Sequence, residues 1–169
     1  APAPVFSSSV FSQSEHRRTF VFGDYLLNAI YDLVVISTEP ASRSGQIFDW
    51  KTHQKPPSKE RLATDWQKRL YPYILCETSD LSPEEISITY WFVRPDRQTS
   101  PVESQKIETS SQPSFYKFSY DLAQHDQTRK DLRELTERLT TMREQAYFPK
   151  VAVEKGLCDR CPFNLRCDR

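Results

Sequence analysis

Glycine is scarce: Gly23, Gly45 and Gly156 are the three in 169 residues. Residues so far apart cannot build a glycine-rich loop around a phosphate, which excludes P-loop and dinucleotide-binding folds. An excess of one charge is also lacking, since 23 Lys and Arg balance 23 Asp and Glu for a formal net charge of zero. That balance excludes a globally basic nucleic-acid coat and leaves room only for a local basic patch. No apolar run approaches the roughly 20 residues that a membrane helix needs, and mean hydropathy is −0.67. Residues 1–11 carry no charged segment leading into an apolar one, so no secretory signal is expected and the cytoplasm is the expected location. Cysteine is sparse and skewed. Cys76 stands alone, whereas Cys158, Cys161 and Cys167 form a C-x2-C-x5-C group near the end. A disulfide framework would spread its cysteines through the chain. Such a tight group reads instead as metal ligation in a reducing compartment.

What is present suits one globular domain with a sizeable core: 37% hydrophobic and 12% aromatic residues. The Ser- and Pro-rich stretch 1–14 is expected to be a disordered lead. Residues 18–22 are a short β-prone run, and residues 25–38 (YLLNAIYDLVVIST) read as a long strand. A turn at 39–45 carries Pro40 and Gly45. Residues 45–52 (GQIFDWKT) form the next strand, antiparallel to its predecessor because a short loop joins them. Ser58 is a plausible N-cap for a helix over 59–77, which Pro72 should kink. Residues 82–85 (SPEE) start a single helical turn, and 86–93 (ISITYWFV) form a strand. A polar stretch at 95–113 reads as a mobile loop, 114–120 as a short strand, and 121–145 as a helix with Leu132, Leu135 and Leu139 on one face. The order is that of a mixed α/β domain.

Chemistry concentrates at Asp49-Trp50-Lys51. Residues two apart on a strand share a face, so the Asp49 carboxylate and the Lys51 ammonium point the same way and Trp50 the other. Together they suit a divalent cation and an attacking water: hard oxygen for the ion, an ammonium for the water or the growing phosphate charge. Asp32 lies in the preceding strand among Ile30, Leu33, Val34 and Val35, where an unpaired carboxylate is costly. Pairing the strands could bring Asp32 and Asp49 to one site. The plainer alternative leaves both acids in solvent at strand ends and Lys51 as a surface charge. On the following helix, Gln67 and Tyr71 share a face. The cations Lys51, Lys55, Lys59, Arg61, Lys68 and Arg69 outnumber Asp49, Glu60 and Asp65 there, which suits a phosphate backbone.

Taken in order, Asp32, Asp49-x-Lys51, Gln67-x3-Tyr71 and Cys158-x2-Cys161-x5-Cys167 resemble the RecB-like iron–sulfur branch of the PD-(D/E)XK nuclease superfamily. That branch includes AddB helicase-nuclease C-terminal domains and CRISPR-adaptation exonucleases. IFDWKT resembles its D-x-K-T strand, AIYDLVV its upstream acidic strand and WQKRLYPYIL its Q-x-x-x-Y helix. The resemblance implies a restriction-endonuclease-like α/β fold, a mixed sheet flanked by helices, with the nuclease core over 15–150 and a cysteine tail over 151–169. It implies that Asp32 and Asp49 bind Mg²⁺ or Mn²⁺, with the Trp50 carbonyl as a further ligand. Lys51 would position or activate water, and Gln67 and Tyr71 would orient the site and touch DNA. Cys158, Cys161 and Cys167 would be three of four ligands of a structural [4Fe–4S] cluster. The implied partners are DNA and a helicase or other subunit of a repair or defence complex, with no membrane.

The family's glycine three residues before the first acid is Ala29 here. The family's upstream helical part, with its first cluster cysteine and a metal-binding His, has no counterpart; His16 is too close to Asp32. The chain is therefore expected to be a fragment lacking N-terminal helices. Cys76 reads as a buried hydrophobe rather than the fourth ligand. Zinc is the alternative for the tail, with His125 or His53 as a conceivable fourth ligand. Trp66, Tyr73, Trp91 and Phe92 are expected in the core rather than as base-stacking platforms. Two functional rivals stand beside the nuclease: an inactive nuclease-derived domain that binds DNA or a partner, and a zinc-stabilised interaction module.

Overall fold

A computed structural model describes residues 10–52, 57–92 and 115–167. Strand β1 (Val10–Phe22) and strand β2 (Tyr25–Ser37) form a long hairpin. Its two-residue turn begins at Gly23, whose φ of 57° is the left-handed conformation such turns require. The strand starts at Val10, earlier than residue 18, and 10–13 pair with 34–37. The polar composition that suggested disorder is overridden by this pairing with the apolar half of β2. Residues 1–9 lie outside the described residues, as does the expected loop 95–113.

Strand β3 (Ser44–Lys51) runs antiparallel to β2 as expected. Strand β4 (Ile86–Phe92) is parallel to β3, and β5 (Phe115–Ser119) is antiparallel to β4. Among the described residues the result is one mixed five-stranded sheet in the order β1-β2-β3-β4-β5. A parallel neighbour cannot be reached by a tight turn, and two helices make the crossover from β3 to β4. They are α1 (Lys59–Ala63) and α2 (Trp66–Glu77), where the sequence reading expected one helix. Ser58 does cap α1, accepting from the Arg61 amide at 3.3 Å. The break falls at Thr64 and Asp65, because the Asp65 carboxylate accepts from the Gln67 amide at 2.8 Å and caps a new helix. Aspartate competes with the helical ladder in this way wherever it can reach a free amide. Pro72 lies inside α2, which runs on to Glu77. A 3-10 turn at Pro83–Glu85, closed by a Ser82–Glu85 capping box, leads into β4.

Helix α2 lies across strands β1 to β4. Its Tyr73, Ile74 and Leu75 are buried with Val34 and Ile36 of β2, Ile47 of β3, and Ile86, Ile88 and Tyr90 of β4. Gly45, the second residue of β3, lies beneath this helix; a Cβ there would stand 3.1 Å from Leu75 Cδ2 and 2.6 Å from Leu81 Cδ1. The opposite sheet face carries Trp50 and Trp91, paired in register, and Phe115 stacked on Trp91. Trp91 and Trp66 are 41% and 40% exposed, against the expectation of core packing, whereas Tyr73 and Phe92 are buried as expected.

Helix α3 (Leu122–Glu144) follows β5. Its first turns hold buried His125 and Thr128, and His125 stacks on Tyr73 at 4.8 Å. Leu132 is buried, but Leu135 and Leu139 are exposed, so the apolar stripe expected along the helix is buried at that one position of the three. By internal contacts the chain divides into two compact units, Ala1–Lys130 and Asp131–Arg169. Beyond α3, the second unit has 3-10 turns at Val153–Lys155 and Cys158–Arg160 and a short helix α4 (Asn164–Cys167). No helix among the described residues is long and apolar enough to cross a membrane.

Asp65 starts α2 directly after Thr64, the C-cap of α1, and so fixes where Gln67 stands. Asp65→Ala is expected to lower unfolding free energy by about 1 kcal/mol, the usual cost of losing an N-cap, as read by urea denaturation. A change indistinguishable from zero would mean that packing alone sets the start of α2.

Candidate active site

The inward positions of β3 are Gly45, Ile47 and Asp49, so the alternation that builds the core also buries a carboxylate. Asp49 is 4% exposed. Its Oδ1 accepts from Gln67 Nε2 at 2.6 Å. Its Oδ2 lies 2.7 Å from Lys51 Nζ, an ion pair off the hydrogen-bonding angle, and Oδ2 is left without a hydrogen bond. Lys51 Nζ donates instead to Gln67 Oε1 at 2.7 Å, which closes a ring of three side chains. Burial pushes the Asp49 carboxyl above the usual carboxylate range; Lys51 pulls it down, the nearby Asp32 charge pushes it up, and Gln67 pulls it down.

Asp32 stands where β2 and β3 part. The ladder between them ends at Leu33 and Phe48, so Asp32 and Asp49 would be the next opposed pair. Beyond that point the Trp50 amide donates to Asp32 Oδ2 at 2.7 Å, a side chain replacing a backbone partner. The inward positions of β2 also change phase here, from Ala29 and Tyr31 to Val34 and Ile36. In β1 the residue facing the same spot, Glu15, has φ 49° and interrupts the β1–β2 pairing. Left-handed backbone at a residue other than glycine is uncommon, and it falls at the level of the acids. The two acids therefore converge at one fork in the sheet, beside one ammonium, and the plain reading of solvated strand ends does not hold for Asp49 or Lys51.

Tyr71 follows Gln67 by one helical turn. Its ring packs edge-on against Tyr31 at 5.3 Å, and its carbonyl accepts from the Tyr31 hydroxyl at 3.1 Å. The Trp50 indole is 42% exposed, on the face away from Asp49, as alternation requires. Of the expected basic patch, Lys59 and Arg61 are exposed, Lys68 and Lys59 lie over the Phe118 ring at 5.8 and 5.9 Å, and Arg69 stacks on Trp66 at 4.5 Å. Lys55 and His53 lie outside the described residues. His125 is no zinc ligand candidate in this arrangement, because its two ring nitrogens face Glu77 at 2.9 Å and the Tyr120 hydroxyl at 3.3 Å. Cys76 sits 3.4 Å from the Leu81 carbonyl, and burial pushes its thiol up to about 11, as suits a protonated, inert thiol.

Cys158, Cys161 and Cys167 are free thiols lining one cavity of about 140 Å³ with Val151 and Leu157. They share a site in that sense, but no group of three or more His, Cys, Asp or Glu is gathered to hold a metal ion among the described residues. The geometry thus gives no support to an iron–sulfur cluster or to zinc. The acids fit a cation of a different kind. Mg²⁺ is commonly held by one or two carboxylates, with water and substrate phosphate completing its oxygen set. A buried carboxylate oxygen without a hydrogen bond, beside a second carboxylate, supplies that donor set.

Two residues of the site escape a reading by motif. Asp65 belongs to no signature, although its position before an apolar helix is an N-cap signal. Tyr90 lies in ISITYWF, where each residue reads as strand filler; it reaches the site because β4 pairs it with Asp49.

A family model of the PD-(D/E)XK nuclease superfamily matches residues 5–168. The chain belongs to that superfamily, and its mixed five-stranded sheet with flanking helices is the restriction-endonuclease-like α/β fold expected from the sequence. Membership makes it a nuclease by family, with DNA as the substrate class and Mg²⁺ or Mn²⁺ as the ions generally used. No curated protein and no solved structure matches the chain at a significant level.

Because the folded state raises the Asp49 carboxyl above its unfolded value, the folded protein binds that proton more tightly. Stability is then lost as pH rises from the ordinary aspartate range through the raised value. Asp49→Asn is accordingly expected to melt at a higher temperature than the parent at pH 7 in EDTA. Added Mn²⁺ should raise the melting temperature of the parent and leave that of the variant unchanged. A variant that melts lower in EDTA would show that the Lys51 pairing outweighs burial.

Proposed function

We propose that this protein is a divalent-metal-dependent DNA nuclease of the RecB type, hydrolysing phosphodiester bonds in DNA repair, recombination or defence. The observation that carries this reading is the buried Asp49 carboxylate held between Lys51 and Gln67, with Asp32 at the same fork. Asp32 and Asp49 hold the ion, with the Trp50 carbonyl as a further ligand. The ion supplies activation of water and neutralisation of phosphate charge. Lys51 steers the attacking water and steadies the charge on the phosphate. Gln67 keeps both Lys51 and Asp49 in place and Tyr71 supports it one turn on, at the DNA side. Lys59, Arg61 and Arg69 are suited to phosphates of the bound strand.

The nuclease core is taken as 15–150 and the cysteine tail as 151–169. The tail is proposed to carry a structural [4Fe–4S] cluster in a cytoplasmic setting: the C-x2-C-x5-C spacing suits zinc equally well, and the resemblance to the RecB-like branch is what favours iron. A helicase or complex partner belongs to the same proposal. The second reading, a domain that binds DNA or a partner without turnover, keeps the same site and differs in rate alone.

The deciding experiment is cleavage of single- and double-stranded DNA with Mg²⁺ or Mn²⁺. Lys51→Ala should lower kcat at least about a hundredfold, the scale for losing one preorganised stabiliser of transition-state charge, with the circular dichroism spectrum unchanged. Equal rates for parent and variant would remove Lys51 from the mechanism, and no cleavage by the parent would favour the binding reading. For the tail, anaerobically purified protein should contain iron and acid-labile sulfide, lost in Cys161→Ser. Zinc in their place would make the tail a zinc site, and no metal at all would end the cluster proposal.

A further inference from the structure

Tyr90 is 0% exposed and its hydroxyl is a buried polar atom without a hydrogen bond. Among the described residues one other side-chain atom is in that condition, and it is Asp49 Oδ2. The two residues are partners in the parallel β3–β4 register, so their side chains leave the same face of the sheet side by side. The orphans are complementary: a carboxylate oxygen can only accept, whereas a phenol can donate. Lys51 joins them, its Nζ being 2.7 Å from Oδ2 and 5.2 Å from the centre of the Tyr90 ring. An ammonium over an aromatic face is held by the ring quadrupole, more strongly where water is excluded. Elsewhere the Tyr90 ring packs edge-on against Phe118 at 6.0 Å, which fixes its plane.

A purely structural ring at this position has no need of a hydroxyl, since Phe fills nearly the same space without burying an unpaired polar group. The hydroxyl gains a purpose when the carboxylate turns toward a cation, because ligating carboxylates are themselves steadied by hydrogen bonds. We propose that Tyr90 is a positioning residue for the Asp49–Lys51 pair: its ring seats the Lys51 ammonium, and its hydroxyl donates to the Asp49 carboxylate when that group holds a divalent cation. This rests on the reading of Asp49 as a metal ligand, and the test separates the two.

Mn²⁺ binding to the full chain is measured by calorimetry and by the electron-spin resonance signal of free Mn²⁺, for the parent, Tyr90→Phe, Tyr90→Leu and Asp49→Asn. Tyr90→Phe keeps the ring and loses the donor. It should weaken Mn²⁺ binding about ten- to a hundredfold, the scale for partners of metal ligands, while its melting temperature in EDTA stays equal or rises. Its cleavage should return to the parent rate at saturating Mn²⁺. Tyr90→Leu loses the seat of Lys51 as well, and its kcat should stay depressed at saturation. Parent-like Mn²⁺ affinity in Tyr90→Phe, alongside loss of binding in Asp49→Asn, would overturn the role of Tyr90 alone. Parent-like affinity in Asp49→Asn would overturn the metal-ligand reading beneath it. If Tyr90→Leu does not fold, the Phe variant carries the result by itself.

Discussion

The site depends on one buried charge. A carboxylate placed inward on a central strand is expensive unless something compensates it, and the surroundings of Asp49 are arranged around that cost. Gln67 takes one oxygen, Lys51 stands against the other, and Gln67 also accepts from Lys51. The compensation is incomplete, since Oδ2 has no hydrogen bond and the group holds its proton more tightly than an exposed aspartate. A divalent cation with Asp32 beside it would complete it. The same incompleteness that costs stability without metal is what makes the position suited to one.

The sheet supplies the place. Strands β2 and β3 pair regularly as far as Leu33 and Phe48, then part around the Asp32 carboxylate, which takes the Trp50 amide. Two acids converge there because antiparallel register opposes them, and the lysine joins because it is two residues further on the same face. The crossover from β3 to β4 must carry a helix over this face, and the Asp65 cap starts that helix at the level where Gln67 meets Asp49 and Lys51. The parallel partner then adds Tyr90. Asp49, Lys51 and Tyr90 are thus fixed by backbone pairing and Gln67 by a cap, while Asp32 is set at the parting of the strands by the Trp50 amide.

Much of this was legible in the residues. The hairpin strand at 25–38, the strand at 45–52, the Ser58 cap and the strand at 86–93 follow from β-branched and aromatic runs and from turn and cap chemistry, and each is present within a residue or so. Asp49 and Lys51 sharing a face needed only the two-residue period. Other features resisted. The start of β1 at Val10 draws its order from β2 rather than from its own composition. The break at Asp65 is a contest between a local cap and helix continuation, which the Ser58 cap signal for a helix over 59–77 does not reveal. Trp66 and Trp91 looked like core by type, yet burial is decided by what covers a face, and both are about two-fifths exposed. The cysteine spacing suggested ligation, while the thiols line a cavity without being gathered around an ion.

By itself, then, the sequence determined the local elements and the residue types of the chemistry: which strands form, which acids and lysine share a face, and which family signature they make up. Such information is carried by neighbours two to four residues apart, where backbone geometry is repetitive. Tertiary structure decided what depends on register between distant segments: the fork at Asp32, the Gln67 bridge, and the pairing of Tyr90 with Asp49. Register is set by how whole strands and helices bury their apolar faces together, a property of the sheet as a unit and not of any one stretch of chain.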